Sequence, residues 1–374
     1  MNRRSLCETL LALSLAAGFV LACASEDDTE SFSDVTASAT MPESALPMPQ
    51  MAPIPLKGVE FWAYQIQDLS APGAVDALVD SHYDLLVLEP TRTDWSSGDR
   101  YFDARGMVAR VKGSPASDGQ HRKLVLAYVN IGEAEDWRWY WTWSRGWHCR
   151  GEPPDDWPQY VLACDPDGWA GDYPVAYWDA AWKDVLIYGV RQGAQPGRDY
   201  ASIIDQVIND GFDGIYLDWV AAFEDPEVAA AAQEAGLDPA GEMVALIREI
   251  RDYAIARSPE FRIVQQNAAS LVDGHPELLE LVDAIAQEAV WFDGDATDDW
   301  DDPDGYDREN DEDLTLYYLG YLEQYAEAGL AVFVCEYALE HADRAYAEAY
   351  AAGFIPYVTR TPLSRLTTTV PPGY

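Results

Sequence analysis

The stretch "FDGIYLDW", residues 212–219, sets the pattern from which the fold is predicted. Ile215, Tyr216 and Leu217 form an apolar run typical of a buried strand, and Asp218 follows at once. Seven comparable apolar runs occur at 57–65, 83–90, 123–131, 261–268, 282–288, 330–337 and 353–359. A carboxylate at the end of a buried strand is costly unless it is paired or used, so Asp218 needs an explanation.

Amphipathic stretches, such as residues 241–257, separate these eight runs. Near-continuous apolar strands that alternate with helices predict a parallel sheet covered on both faces. Eight such units in about 300 residues predict an α/β fold of the (β/α)8 TIM-barrel type. The alternative is a doubly wound open sheet, but no Gly-rich phosphate loop follows the first strand.

Two segments interrupt the alternation, a Trp-rich insertion after strand 3 (132–182) and an acidic loop after strand 6 (291–313). Both follow the carboxyl ends of strands, where barrel active sites are built. The first contains Trp137, Trp139, Trp141, Trp143 and Trp147. Their flat faces suit sugar rings, but these side chains can equally pack the insertion against the barrel.

The N-terminal region is predicted to direct export. Residues 1–22 have the basic start and short apolar stretch of a signal peptide, and they end in a sequence typical of a bacterial lipoprotein. Cys23 would then carry the lipid and hold the protein at the cell envelope; ordinary secretion is the alternative. Residues 23–55 are polar and acidic and predict a flexible tether, which leaves 56–374 as the barrel domain.

Cysteine usage agrees with export. Cys149 and Cys164 are close together in the Trp-rich insertion, and they are predicted to form a disulfide in an oxidising compartment. The alternative is two unpaired thiols. Cys335 lies in an apolar run and is predicted to be a buried core residue.

The net charge of −41, from 24 basic and 65 acidic residues, argues against binding to nucleic acid. The acidic surface either keeps the protein well solvated or attracts a cationic partner. We expect no cofactor and no metal, because the chain has no HExxH motif and no Cys/His cluster. The acidic run at 293–304 lacks the spacing of a calcium loop, so a solvated charge run is favoured there. We expect a monomer.

Carboxylates collect at the predicted carboxyl ends of the strands. Strand parity directs Asp218 inward from strand 4 and Glu288 inward from strand 6. Other polar groups at this rim are Glu89, Glu133, Glu135, Gln265, Asn267 and Glu336. A cap on the next helix would explain Asp218 alone. Two inward carboxyls on alternate strands are what glycoside hydrolysis requires, because one protonates the leaving oxygen and the other attacks the sugar or activates water.

The motifs "YDLLVLEP", "LAYVNIGEAEDWRWYW", "GFDGIYLDW", "VQQNA" and "IAQEAVWF" resemble glycoside hydrolase family 114, the endo-α-1,4-polygalactosaminidase family of secreted (β/α)8 barrels. The resemblance covers residues 56–360 and implies Asp218 as nucleophile and Glu288 as general acid/base. It also implies a sugar site lined by Tyr64, Gln65, Glu133 and Asn267. Rim position and aromatic character add Glu89, Glu336 and Trp137 as candidate substrate-binding residues.

The function expected from the sequence is hydrolysis of an α-linked amino-sugar polymer by a lipid-anchored enzyme. A cationic polymer would suit the acidic chain. The rival is a carbohydrate-binding envelope lipoprotein that uses the same groove without catalysis. Retention or inversion depends on the separation of the two carboxyls, which the sequence leaves open.

Overall fold

A computed structural model describes residues 51–90, 102–145, 147, 150, 153–190 and 201–374. The predicted signal peptide, Cys23, nearly all of the predicted tether and Cys149 lie outside the described residues. Cys164 is disulfide-bonded, and Cys335 is a free, buried thiol. In the described part of the chain, no helix has the length and apolar character needed to span a membrane.

Eight strands form one parallel sheet. They are β1 (Trp62–Gln65), β2 (Leu85–Leu88), β3 (Leu124–Asn130), β4 (Gly214–Asp218), β5 (Arg262–Gln266), β6 (Ala284–Glu288), β7 (Ala331–Glu336) and β8 (Ile355–Val358). Each lies within one of the eight predicted runs.

The strands follow one another around the sheet in chain order, without the reversal that a doubly wound sheet requires. β1 also contacts β8, and the Trp62 indole Nε1 donates a hydrogen bond to the Ile355 carbonyl at 2.9 Å. The sheet is therefore nearly closed into a barrel, as predicted.

Helices lie between the strands. They are α1 (Ala74–Asp80), α2 (Ala104–Lys112), α3 (Ala180–Lys183), α4 (Ile203–Asn209), α5 (Pro226–Ala235), α6 (Pro239–Ile255), α7 (Leu278–Leu281), α8 (Glu312–Glu327) and α9 (Ala342–Ala351). The longest, α6, buries Met243, Leu246, Ile247 and Ile250 at the predicted helical spacing.

Aromatic rings fill the barrel interior. Trp62 lies with its ring centroid 5.4 Å from Phe333 and 5.8 Å from Tyr357, and Tyr64 lies 5.1 Å from Tyr216. These side chains come from β1, β4, β7 and β8, whereas β6 contributes small residues at Ala284 and Ala286 on its inward face. Large and small residues on different strands thus share the interior and place the catalytic candidates above an aromatic floor.

The insertion after β3 begins with an antiparallel ribbon that pairs Glu133–Glu135 with Asp172–Pro174. Beyond it, Trp141 packs against Trp143 and Trp157, with ring centroids 4.8 Å apart in both pairs. Packing is therefore the role that the structure shows for most tryptophans of the insertion.

The acidic loop after β6 is also ordered in the structure. A second short ribbon pairs Phe292–Asp293 with Arg308–Glu309. The Arg308 guanidinium contacts Asp293 at 2.7 Å and also contacts Asp295. Part of the predicted charge run is thus neutralised within the loop.

Candidate functional site

Asp218 and Glu288 end β4 and β6, and both line one cavity of 170 Å³ at the carboxyl end of the barrel. Both side chains are half-buried. Strand parity places them on the inward face, since Tyr216 on the same face of β4 contacts the interior aromatics. The structure therefore brings together the two residues that the sequence singled out.

Asp218 accepts hydrogen bonds on both of its oxygens. The Tyr128 hydroxyl donates to Oδ2, and the main-chain N–H of Trp219 donates to Oδ1 at 2.7 Å. Tyr128 is placed by β3, where it is the neighbour of Tyr216 in the sheet register. The carboxyl is thus oriented by its own sheet and does not cap a helix through its side chain.

Glu288 is held by three donors. The amides of Gln266 and Asn267 donate to Oε2, the second at 3.0 Å, and the Tyr337 hydroxyl donates to Oε1. Asn267 also accepts from the Glu288 main-chain N–H at 2.8 Å. Side chains from the ends of β5 and β7 therefore fix the orientation of this carboxyl.

Burial and the nearby carboxyl of Glu288 together raise the pKa of Asp218 to about 7, against the hydrogen bonds of Tyr128 and Trp219. Burial also raises the pKa of Glu288, while its three donors oppose the shift. Near neutral pH the Asp218 carboxyl therefore holds a proton part of the time, beside the Glu288 carboxyl. Such a pair supplies one acid and one base, as glycoside hydrolysis requires.

Removing the charge of Glu288 should lower the pKa of Asp218. In a Glu288→Gln variant we expect the pKa of Asp218 to fall below 7 and to stay above its ordinary 3.8, because burial remains. Titration of ¹³C-labelled aspartate by NMR measures this directly and needs no substrate. An unchanged pKa in the variant would show that the two carboxyls do not interact.

The chain turns sharply just beyond the catalytic strands. Trp219, Asn267 and Ala289 have positive φ angles of 55°, 54° and 51°, and each directly follows the last residue of β4, β5 or β6. The left-handed conformation is costly for residues other than glycine and tends to occur at functional sites. At Asn267 this turn brings the side chain to Glu288.

A second cavity of 540 Å³ adjoins the first. The two share lining residues at Glu288, Asn267, Tyr337 and Trp169, whereas Asp218 lines only the smaller cavity. Tyr317 and Tyr318 from α8 line only the larger cavity. Together the cavities form a groove in which Glu288 lies at the junction.

The smaller cavity is strongly acidic. Its lining includes Glu89, Glu133, Glu135, Asp167, Asp172, Asp218 and Glu288, and among the described residues no Lys, Arg or His lines it. Behind this lining, the buried Arg138 bridges Glu89 and Glu135, with contacts of 2.6 Å to each. Arg138 also lies 3.9 Å from the ring centroid of Trp137. Arg138 thus pairs with two of these carboxyls, Glu89 and Glu135, from behind the lining.

Most of the other substrate-binding candidates from the sequence line the smaller cavity. They are Tyr64, Glu89, Glu133, Asn267 and Trp137.

Gln65 and Glu336 are not among the lining residues. The Gln65 amide donates to the carbonyls of Gln67 and Ser364, and Glu336 accepts the main-chain N–H groups of Val290, Trp291 and Phe292. Both lie on the opposite strand face and hold loops in place.

Sequence reasoning missed Tyr128, Gln266, Tyr337, Trp169 and Trp219, all of which line the cavity. The pairing of inward residues on neighbouring strands would have identified three of them, Tyr128, Gln266 and Tyr337. Gln266 is paired with the inward Ala286, and Cys335 is paired with Glu288, which directs Tyr337 inward as well. Gln265, named from the sequence, instead contacts Tyr325 of α8 at 3.4 Å. No sequence signal indicated Trp169.

Stability should fall as pH rises through neutrality. Burial raises the pKa of Glu336 to about 8 and that of Asp218 to about 7, so the folded state keeps protons that the unfolded chain has lost above about pH 4.5. This contribution is fully present below the unfolded pKa and is lost as pH rises to about 8. We expect urea denaturation to give an unfolding free energy lower by about 3 kcal/mol or more at pH 8.5 than at pH 5.

Glu336→Gln is the control for this pH dependence. Because the variant cannot ionise at this position, its stability should change less with pH, whatever its absolute stability. An equally steep dependence in the variant would exclude Glu336 as a source.

No three His, Cys, Asp or Glu side chains form a metal-ligand group within the described ranges. The acidic loop has Arg308 among its carboxyls, which favours ion pairing there over cation binding.

Comparison with known proteins identifies similar chains. An uncharacterized protein of Deinococcus radiodurans is 30% identical over 351 residues, which cover 92% of this chain and 94% of that protein. The glycoside hydrolase domain of PelA from Pseudomonas aeruginosa shares the fold with a TM-score of 0.53 and 16% identity, covering 83% of this chain and 98% of that one. Aspergillus fumigatus Ega3, solved in complex with galactosamine, has a TM-score of 0.51 and 15% identity, covering 83% and 95%.

The profile of glycoside-hydrolase family GH114 matches residues 62–371, which include every barrel strand and both catalytic candidates. A glycoside-hydrolase family agrees with the presence of two carboxyls, Asp218 and Glu288, in one cavity. The chain therefore belongs to the glycoside-hydrolase family GH114.

Proposed function

We propose that this protein is an exported, lipid-anchored endo-glycosidase that cleaves an α-linked amino-sugar polymer. The observation that carries the proposal is the pair Asp218 and Glu288 at the floor of an acidic groove. The groove continues past the pair into the larger cavity, so sugar units can bind on both sides of the cleaved bond. Cleavage within a chain needs such an arrangement.

The positions of the two carboxyls support distinct roles. Glu288 lies where the cavities meet, so it is placed to protonate the oxygen that joins two sugars. Asp218 lines only the smaller cavity, so its carboxylate is placed to attack the anomeric carbon of the sugar bound there. Glu288 then removes a proton from water, and the water displaces Asp218 and restores both groups. Tyr128 and Trp219 orient the attacking carboxylate.

The anomeric form of the first product tests this assignment. Direct attack by Asp218 gives the retained α anomer, whereas activation of water by Asp218 gives the β anomer. Proton NMR during the first minutes of hydrolysis distinguishes the two outcomes before mutarotation.

An amino-sugar substrate suits the charge of the site. The carboxyls of the smaller cavity attract cations, and an ammonium group beside Asp218 would favour the ionised form that attacks. Ega3, which shares the fold, was solved with galactosamine bound, and this supports the same substrate class. The proposed lipid anchor rests on Cys23 and its surrounding sequence, and we also propose that the protein is a monomer.

Product analysis tests the function. The full chain is incubated with partly deacetylated α-1,4-galactosamine polymer, its fully N-acetylated form, chitosan and α-1,4-galacturonan, and new reducing ends are measured. We expect release of short oligosaccharides from the first polymer and none from the anionic galacturonan. Binding to the polymers without release from any of them would instead identify a carbohydrate-binding protein.

A further inference from the structure

The ribbon after β3 directs three carboxyls to one face. Glu133 and Glu135 are two residues apart on one strand, and Asp172 is paired with Glu135 on the other. Residues that face each other across an antiparallel ladder lie on the same side of it. All three line the smaller cavity. Glu135 forms an ion pair with Arg138 at 2.6 Å, and Glu133 is the other carboxyl on its strand.

Glu133 is buried, with 2% of its surface exposed, and one of its oxygens lacks a partner. Its Oε2 accepts from the Asn130 amide at 2.8 Å, but Oε1 has no hydrogen-bond partner among the described residues. A buried polar atom without a partner is costly. Burial raises the pKa of Glu133 well above its usual range, and the nearby carboxyls of Asp172 and Asp165 raise it further. The site is therefore poised to take a hydrogen-bond donor that carries positive charge.

The choice of ligand follows from the surroundings. The described residues here do not form a three-ligand metal group, and the lining offers aromatic rings and amides beside its carboxyls. A primary ammonium group needs only one or two carboxylates and a hydrogen-bonding contact. The tryptophans of the lining, Trp137 and Trp169, offer flat faces to the ring that carries the amine.

We propose that Glu133, with Asp172, binds the ammonium group of the sugar unit held in the smaller cavity and so selects a free amine over an acetamide or a hydroxyl. This inference rests on the proposed amino-sugar specificity and assigns it to particular residues. The cationic amine fits the acidic pocket and donates to Glu133 Oε1, whereas the neutral acetamide leaves the pocket's charge uncompensated.

Binding of monosaccharides tests the proposal without hydrolysis. Affinities of the full chain for galactosamine, N-acetylgalactosamine and galactose are measured by NMR titration. We expect the wild-type protein to favour galactosamine about tenfold or more, as charge-assisted hydrogen bonds allow, and Glu133→Gln to lose most of that preference. Asp172→Asn should also reduce it, and it serves as the second variant if Glu133→Gln does not fold.

Glu224→Gln is the matched control, because Glu224 is an exposed carboxyl that lines only the larger cavity. It also replaces a carboxyl of the groove by an amide and should change the amine preference less than about twofold, since exposed charges are well screened. The proposal fails if Glu133→Gln keeps the preference, if Glu224→Gln reduces it equally, or if the wild-type protein has none. An amine preference that depends on Glu133 but occurs without any polymer cleavage would instead reject the hydrolase and keep the subsite.

Discussion

Asp218→Asn and Glu288→Gln are each expected to reduce kcat for polymer cleavage about 10³-fold or more, while the protein stays folded. Asp218→Asn removes the attacking carboxylate and Glu288→Gln removes the proton donor. The substitutions preserve shape, and one oxygen remains on each side chain to accept from a surrounding donor. Reducing-end assays give the activity, and thermal melting reports the fold.

A substrate with a good leaving group distinguishes the nucleophile role of Asp218 from the acid role of Glu288. A nitrophenyl oligosaccharide departs without strong acid assistance, so Glu288→Gln should keep far more activity on it than on polymer. Asp218→Asn should be inactive on both substrates. The control is Glu323→Gln, an exposed carboxyl on α8, which should match the wild type. Near-normal polymer cleavage by either catalytic variant would remove that residue from the mechanism.

Arg138→Met is expected to lower the unfolding free energy at pH 7 by about 3–5 kcal/mol. The Arg138 guanidinium is 3% exposed and forms paired contacts with both Glu89 and Glu135, which are equally buried. Removing it leaves two buried carboxylates without their cation, and that cost exceeds the packing gained from a similar apolar side chain. Urea denaturation measures the change.

The compensating variant distinguishes charge from shape. Adding Glu89→Gln and Glu135→Gln to Arg138→Met should recover much of the lost stability, because no buried charge then remains unpaired. A loss below about 1 kcal/mol in the single variant, or no recovery in the triple variant, would show that the charge of Arg138 contributes little.

Much of the site followed from period-two alternation within single strands. Inward positions beginning at Gly214 lead to Asp218, and those beginning at Ala284 lead to Glu288. The same rule, applied to β1 and β7, would have placed Gln65 and Glu336 on the outward face, because the preceding residues Tyr64 and Cys335 face inward. A polar residue at the end of a strand reaches the cavity only if its side chain lies on the inward face of that strand. Position at the strand end alone was therefore not sufficient to identify a cavity residue.

The insertion shows a different limit. Its tryptophans could serve either sugars or packing, and composition does not distinguish these roles. The structure buries Trp139, Trp141 and Trp157, and it leaves Trp137 and the unforeseen Trp169 at the cavity. The loop conformation decides which tryptophans reach the cavity. Trp137 and Trp169 lie outside strands and helices, so no periodicity predicts the direction of their side chains.

The sequence by itself determined the eight-stranded barrel and the inward direction of its two central carboxyls, because apolar periodicity and strand parity are local properties of the chain. Only the tertiary structure decided which groups hold and surround those carboxyls. Tyr128, Gln266 and Tyr337 reach them from three other strands, and the ribbon after β3 brings Glu133 to Asp172. These contacts depend on register between distant segments and on left-handed turns such as Asn267, which no local pattern encodes.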